Sequence, residues 1–170
     1  MKKSLLLICL FSIIAVSSAY AQKYALIDME YILKKIPAVE QANNELEEAS
    51  KQWQAEIEAQ TTEVEALYKK YQKDFDLLKG DEKTRRENEI VEKENQINNL
   101  SNSYFGPDGE LLKRREEFMK PIQDEIYEAI KSISNASGYQ MVIDRASATS
   151  IIFASPSIDI SDQVLEMLGN

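Results

Sequence analysis

The sequence lacks the side chains on which most catalytic and metal sites depend. It has no histidine, and Cys9 is its one cysteine. Histidine is the usual general base near neutral pH and the commonest metal ligand, so its absence excludes Ser-His-Asp and Cys-His catalysis. The sequence also has no glycine-rich phosphate loop and no metal-ligand spacing. We therefore expect a protein that is not an enzyme and that has no metal or other cofactor.

Long apolar runs are also missing, except near the N-terminus. Lys2 and Lys3 precede an apolar run over residues 5–16, and small residues lead up to Ala21. This order is typical of a secretory signal peptide, and the run is shorter than the roughly 20 residues that a membrane-spanning helix needs. We expect residues 1–21 to be a signal peptide that is cleaved after Ala21. The alternative is an uncleaved anchor.

Basic residues are outnumbered, with 20 Lys and Arg against 29 Asp and Glu. Removal of Lys2 and Lys3 would leave 18 against 29, a net charge of −11. Such a charge disfavours general binding to nucleic acid or to anionic membranes. We expect no nucleic-acid partner and at most transient membrane contact.

Glycine and proline are scarce, and neither occurs between residues 38 and 79. Apolar side chains recur there in steps of mostly three and four, which is typical of a coiled-coil helix. Steps of four around Trp53 and Tyr71 are stutters that relax the supercoil locally. The predicted helix, from Ala38 to Lys79, would extend about 60 Å and project from any compact body.

A turn and a return helix are predicted to complete a hairpin. Gly80 is suited to a left-handed C-cap and Asp81 to a new N-cap. The return helix has few large apolar residues, so we expect the hairpin to be flexible near its tip. Residues 105–109, Phe-Gly-Pro-Asp-Gly, interrupt it, and Asp108 is the expected cap of the helix that follows. Counting equally from the turn places Tyr104 and Phe105 near Trp53.

The last helix segment has a denser apolar stripe. Pro121 lies within it and is expected to kink it, because proline removes a backbone donor. Gly138 is expected to end this helix.

The two ends of the chain are predicted to contain the strands. Residues 23–27, 139–144 and 150–154 have the apolar composition of strands, with a possible hairpin turn over 144–148. Asp28 is the expected cap of a short helix that ends before Pro37, and Ser161 is the expected cap of the last helix.

These patterns predict a predominantly helical α+β fold. Residues 22–37 and 138–170 would form a discontinuous, β-containing association body, and residues 38–137 a long antiparallel coiled-coil hairpin, or tentacle, with its tip near residue 80. A body of this size without disulfides is marginal alone, so we expect it to oligomerise.

The chain resembles the Skp/OmpH family of periplasmic chaperones over nearly all of its exported length. The resemblance rests on residues 24–33 (YALIDMEYIL), 138–144 (GYQMVID) and 155–165 (SPSIDISDQVL), in that order around a charged hairpin. It implies a periplasmic homotrimer whose three tentacles enclose a cavity for unfolded outer-membrane proteins, which it protects from aggregation without ATP. Well-known members are strongly basic, whereas this chain is acidic.

The client-binding side chains are predicted around the tip, where aromatic and basic residues cluster. For any single charged residue there, the simpler explanation is that it lies on a solvated face of the coiled coil. The competing function for the whole chain is a structural coiled-coil scaffold or adaptor of the cell envelope. The predicted client-binding residues are Tyr68, Tyr71, Phe75 and Leu77, with Lys69, Lys73, Arg85 and Arg86.

The small association body leads to a prediction about assembly. We expect a homotrimer, and Ile152→Asp should dissociate it, because an unpaired charge in an apolar interface is costly. Light scattering of both proteins at micromolar concentration measures this, and a stable wild-type monomer would contradict the prediction. The expected interface comprises Tyr24, Leu26, Ile27, Tyr139, Met141, Ile143, Ile151, Ile152, Phe153, Val164 and Leu165.

Overall fold

The computed structural model describes residues 22–169, so the predicted signal peptide with Cys9 lies outside the described residues. The fold is predominantly helical, with a small parallel sheet, and the predicted α+β class is confirmed. In chain order the elements are β1 (Lys23–Ile27), α1 (Met29–Lys35), α2 (Pro37–Asp74), α3 (Asp81–Phe105), α4 (Glu110–Ser137), β2 (Tyr139–Asp144), a 3-10 turn (Pro156–Ile158) and α5 (Ser161–Leu168).

The first long helix, α2, begins as predicted and ends early. Pro37 is its first residue, where the missing N–H of proline costs nothing. The helix ends at Asp74 rather than at Lys79, and Asp74 O accepts from Leu77 N at 2.8 Å in the turn that follows. Leu77 is 82% exposed, so no packing supports further helix there. At about 1.5 Å per residue, α2 is still roughly 57 Å long.

The turn between α2 and α3 differs in detail from the prediction. Gly80 is not a left-handed C-cap of α2 but lies directly before α3, with φ 54° and ψ −130°. A side chain at this φ would be strained, so the reversal depends on glycine. Asp81 is the first residue of α3 rather than its cap, and no side chain caps this helix.

The interruption of the return helix lies where it was predicted. Helix α3 ends at Phe105 and α4 begins at Glu110. Gly109, not Asp108, is the residue before α4, and it provides no side-chain cap. Pro121 lies inside α4, which continues on both sides of it and ends at Ser137, with Gly138 as its left-handed C-cap.

The sheet contains β1 and β2, which pair in parallel with Leu26 opposite Ile143. The predicted strand over 150–154 is wrong, because residues 151–155 have no regular structure within this chain. The other side of β1 is occupied, since Leu26 O accepts from Ile160 N at 2.9 Å. The predicted hairpin at 144–148 is instead a turn in which Arg145 N donates to Ile27 O.

The hydrophobic core lies where the two ends of the chain meet the base of the long helices. Ile32, Ile126, Ile160 and Val164 are its largest fully buried side chains. They come from α1, α4, the segment before α5, and α5 itself. The core therefore holds the base of the hairpin to both termini, and it does not extend along the arm.

Ser161 does not cap α5 as predicted. Its side chain instead belongs to a cluster of polar residues beside this core, the polar junction, which also contains Asp28, Arg145 and Asp159. The Ser161 hydroxyl donates to Asp159 Oδ1 (2.6 Å) and accepts from Asp28 N (2.8 Å), while Ile160 occupies the cap position of α5. The Arg145 guanidinium lies 3.2 Å from Asp28 Oδ2 and 3.4 Å from Asp159 Oδ2. Asp28 also caps α1 as predicted, because its carboxylate accepts from Tyr31 N at 2.8 Å.

Asp144, at the end of β2, makes the stability of the fold depend on pH. Burial raises the pKa of its carboxyl. Hydrogen bonds from the Met29 N–H, the Ser147 side chain and the Ala146 N–H outweigh that effect, so the pKa lies below its ordinary value. A carboxylate with a lowered pKa stabilises the fold above its unfolded pKa, and this contribution disappears as pH falls through the folded pKa.

We expect Asp144→Asn to lower the free energy of unfolding at pH 7 by about 1 kcal/mol, since charge-assisted hydrogen bonds are weakened. The difference should begin to shrink below about pH 4, near the unfolded pKa of an aspartate, and should be lost once the pH has fallen through the lower pKa of the folded carboxyl. Thermal unfolding of both proteins from pH 7 to pH 2 measures this. Asp124→Asn, on the exposed face of α4, is the control and should change little. A difference in stability between the wild type and Asp144→Asn that does not change with pH would contradict a lowered pKa for Asp144.

Candidate functional site

The outer part of the hairpin is held together weakly. In α2 beyond Ala49 only Val64 is buried, and in α3 only Ile90 is buried. Lys93 and Glu63 form an ion pair across the two helices at 3.1 Å, and both side chains are more than a third exposed. Such exposed pairs contribute little to stability. The outer arm therefore depends on a thin apolar seam, whereas the base has a true core.

Aromatic side chains cluster near the tip as the sequence predicted. The rings of Tyr71 and Phe75 meet edge-on at 5.7 Å, and Lys83 Nζ lies 4.2 Å from the centre of the Phe75 ring. The Tyr71 hydroxyl donates to the Glu87 carboxylate, which raises the pKa of Tyr71 to about 12. Tyr68 and Phe75 remain about half exposed, at 50% and 46%. The cluster thus presents aromatic surface to solvent.

The predicted basic residues fall into two groups. Arg85 and Arg86 both pair with Glu82, at 2.6 Å and 3.4 Å, and the hydrogen bond from Arg85 lowers the pKa of that carboxyl. Lys69 and Lys73 are exposed on α2. The arginines are therefore partly neutralised within the tip, and the lysines of α2 are better placed to meet a partner.

A groove of about 750 Å³ runs between α2 and α3, inward of the tip. Val64, Tyr68 and Ile97 supply its apolar surface. Glu65, Lys69 and Glu94 place both signs of charge at its walls, and Thr61, Gln72 and Asn98 complete the lining. The groove brings two predicted residues, Tyr68 and Lys69, together with Val64, Ile97 and others that were not predicted as site residues.

A second aromatic cluster lies in the middle of the arm. Trp53 stacks on Tyr104 with ring centres 4.8 Å apart and planes within 9°, and Phe105 meets it edge-on at 6.1 Å. The predicted proximity of these rings is confirmed. The Arg114 guanidinium lies 5.1 Å from the Trp53 ring, and the Tyr104 hydroxyl donates to Glu56 Oε2 at 2.8 Å. That hydrogen bond raises the pKa of Tyr104.

Comparison with known proteins identifies the family. The family described as Outer membrane protein (OmpH-like) matches residues 23–168. The chain belongs to this OmpH-like family. The predicted resemblance is therefore confirmed.

Several curated relatives are named Chaperone protein Skp. The chain is 26% identical to that of Yersinia enterocolitica over 154 residues, covering 91% of this chain and 90% of the relative. It is 27% identical to that of Photorhabdus luminescens over 169 residues, covering 98% and 99%. It is 24% identical to that of Escherichia coli strain K12 over 169 residues, covering 99% of each. The predicted chaperone class, rather than an enzyme, is confirmed.

A solved structure has the same fold. It is the crystal structure of a protein from Caulobacter crescentus CB15 that is described as OmpH-like. The TM-score is 0.69 at 14% sequence identity, and the match covers 89% of this chain and 86% of the other. The OmpH-like fold of this chain is thus preserved at low sequence identity.

The predicted interface residues of this OmpH-like chain fall into three sets according to their exposure. Leu26, Ile27, Val164 and Leu165 are buried in the core of the single chain. Tyr139, Ile143 and Ile151 are half-buried. Tyr24, Met141, Ile152 and Phe153 are exposed, and Ile152 is exposed completely. The apolar residues available to a second copy are therefore mainly the exposed set, and Met167, which was not predicted, is exposed as well.

Two further findings concern residues 22–169. No helix in this range is long and apolar enough to cross a membrane. No group of three or more Cys, Asp or Glu residues is arranged there to hold a metal ion.

Proposed function

We propose that this OmpH-like chaperone is a periplasmic, ATP-independent holdase. It keeps unfolded outer-membrane proteins from aggregating in the space between the arms of a homotrimer. The OmpH-like family and the relatives named Chaperone protein Skp support this function.

One observation carries the proposal. The outer arm exposes aromatic and aliphatic side chains that its own packing does not use: Tyr68 and Phe75 are about half exposed, and Leu77 is 82% exposed. They lie on α2 and the following turn, remote from the core at the base. Apolar surface exposed at the end of a long arm is suited to contact with apolar segments of other chains.

The chemistry of this surface suits clients without a fixed sequence. The groove between α2 and α3 combines the apolar side chains of Val64, Tyr68 and Ile97 with charges of both signs. An unfolded segment can therefore place apolar side chains against the seam and find a partner for a charge of either sign. Many weak contacts along several arms would hold a client by avidity, without a deep pocket.

The homotrimer is part of the proposal. Met141, Ile152 and Phe153 lie on the exposed surface of the body formed by residues 22–37 and 138–170. Three such bodies joined through this surface would project three arms, each formed by residues 38–137, around one cavity. Export by a signal peptide over residues 1–21 would place the assembly in the periplasm. Any contact with the membrane would be transient, in keeping with the acidic charge.

Removal of the outer arm distinguishes the proposed holdase function from the alternative function, a structural scaffold. Residues 64–97 are deleted and the helices are joined by a short glycine-containing turn. The oligomer should persist, because its interface lies in the body, but suppression of aggregation should be lost. Light scattering of an unfolded outer-membrane barrel, diluted from urea in the presence of each protein, measures the effect. Full protection by the deletion variant would refute the tentacle holdase and favour the scaffold.

Replacement of the tip aromatics tests where clients bind. Tyr71→Ala alone should weaken protection only slightly, because many contacts share the client. Replacement of Tyr68, Tyr71 and Phe75 together by Ala should raise the half-protecting concentration roughly tenfold or more, since each buried aromatic contributes about 1 kcal/mol.

The same aggregation assay reads out these variants. Tyr127→Ala is the matched control, because Tyr127 is 62% exposed on α4 and lies away from the tip. Equal losses in the triple variant and in Tyr127→Ala would show that binding is not located at the tip.

A further inference from the structure

The groove between α2 and α3 is lined by side chains that recur at every turn of α2. Two rows of α2 residues follow it, one at positions 61, 65 and 69 and the other at positions 64, 68 and 72. By helical rise, positions 61 to 72 extend over about 17 Å. Extended chain rises about 3.3 Å per residue, so about five of its residues cover the same distance. The groove is therefore long enough for a short extended segment.

The apolar surface of the groove has nearly the side-chain spacing of a β-strand. Val64 and Tyr68 lie one turn apart on α2, about 6 Å along the helix axis. Every second side chain of an extended segment points to the same side, and such side chains are about 6.6 Å apart. Val64 is buried, Ile97 is half-buried, and Tyr68 is 50% exposed. A segment that lies along α2 can therefore place alternate side chains on this surface and keep those between them in water.

The volume of the groove favours an extended segment over a helix. A volume of about 750 Å³ over a length of about 17 Å gives a mean cross-section of about 45 Å². Strands lie about 4.7 Å apart and packed sheets about 10 Å apart, so extended chain takes up about 47 Å². A helix with its side chains is at least about 10 Å in diameter and takes up about 80 Å². A helix would therefore lie partly outside the groove.

The polar side chains of the groove suit the backbone and the charges of such a segment. Gln72 and Asn98 are exposed, and their amides can both donate to and accept from an extended backbone. Glu65, Lys69 and Glu94 are exposed and form no ion pair within residues 22–169. Two of these three charges are acidic, so a basic side chain on the bound segment is favoured over an acidic one.

We propose that the groove between α2 and α3 binds a client segment of about five residues in extended conformation, with alternating apolar and polar side chains and with lysine or arginine preferred among the polar ones. This inference rests on the proposed holdase function and adds how a segment is selected. The strands of outer-membrane barrels alternate in this way, whereas a continuous apolar run would leave half of its apolar side chains in water. The groove thus recognises a pattern rather than a sequence.

Peptides of identical composition test the pattern without a full-length client. In one short peptide leucine alternates with threonine and lysine, in a second the leucines are consecutive, and in a third they have helical spacing. Fluorescence anisotropy of labelled peptides, titrated with the protein, gives each Kd. The alternating peptide should bind roughly tenfold more tightly than the other two, because only its leucines all reach the apolar surface. Transferred nuclear Overhauser effects should show it extended when bound.

A charge reversal tests whether the peptide lies in the groove. Glu94→Lys should weaken binding of the lysine-containing alternating peptide roughly threefold, because repulsion replaces attraction at an exposed site. It should not weaken binding of an alternating peptide with glutamate in place of lysine. Glu92→Lys is the matched control and should change neither Kd, since Glu92 is exposed on α3 but does not line the groove. Circular dichroism checks that both variants are folded.

Equal affinity for the three peptides overturns the proposal, as does a lack of binding at millimolar concentration or a helical bound peptide. Equal effects of Glu94→Lys and Glu92→Lys overturn the placement in the groove. The deletion of residues 64–97 keeps this proposal separate from the holdase function. If the deletion abolishes protection of the unfolded barrel while the peptides show no preference, the holdase function stands and the recognition of a pattern fails.

Discussion

The parallel pairing of β1 with β2 is the constraint on which the rest of the molecule depends. Strands that pair in parallel cannot be joined by a tight turn, so the chain must return to the opposite end of the sheet. Here residues 28–138 make that connection, and they do so by running out and back as a helical hairpin. The core around Ile32, Ile126 and Val164 and the junction of Asp28, Arg145 and Asp159 hold the two chain ends together. The arm can project only because its base is closed in this way.

Packing weakens steadily from this base to the tip. Burial is continuous around the sheet, becomes a one-sided seam at Leu46 and Ala49, and is reduced to Val64 and Ile90 in the outer arm. At the tip, where little of the chain's own packing remains, the rings of Tyr68 and Phe75 are about half exposed. A chaperone that holds many different clients needs this combination, because a surface that is not committed to its own core remains available to others. Low local stability also lets such a surface adapt to what it binds.

The charge of the chain is negative but unevenly distributed. Its net charge is −9 over the full sequence. The tip still contains Lys69, Lys73 and Lys83, and Arg85 and Arg86 are paired with Glu82. Residues 69–120, the outer part of the arm and the start of α4, have 12 basic and 12 acidic side chains and thus no net charge, whereas the rest of residues 22–170 has a net charge of −11. Shape and apolar contact, rather than a general electrostatic attraction, are therefore the basis of the proposed client binding.

The sequence by itself determined the elements whose signals are local. The absence of glycine and proline over residues 38–79 determined a long helix, and Pro37 determined where it starts. The Phe-Gly-Pro-Asp-Gly run determined that the returning helix is interrupted. Equal counting from the turn was enough to place Tyr104 and Phe105 beside Trp53, because antiparallel helices have the same rise. The aromatic residues of the tip were found in the same way, from their spacing on one helix.

Only the tertiary structure decided the features that depend on a distant partner. Residues 150–154 have the composition of a strand, but the side of β1 they might have joined is occupied by the segment at Ile160. Ser161 has the character of a helix cap, yet its hydroxyl connects Asp28 to Asp159 because folding brings those residues beside it. Leu26 and Val164 have the apolar character of interface residues and are nevertheless buried within one chain. Periodicity identifies a helix and its apolar face, but which surface covers that face depends on contacts between residues far apart in the sequence.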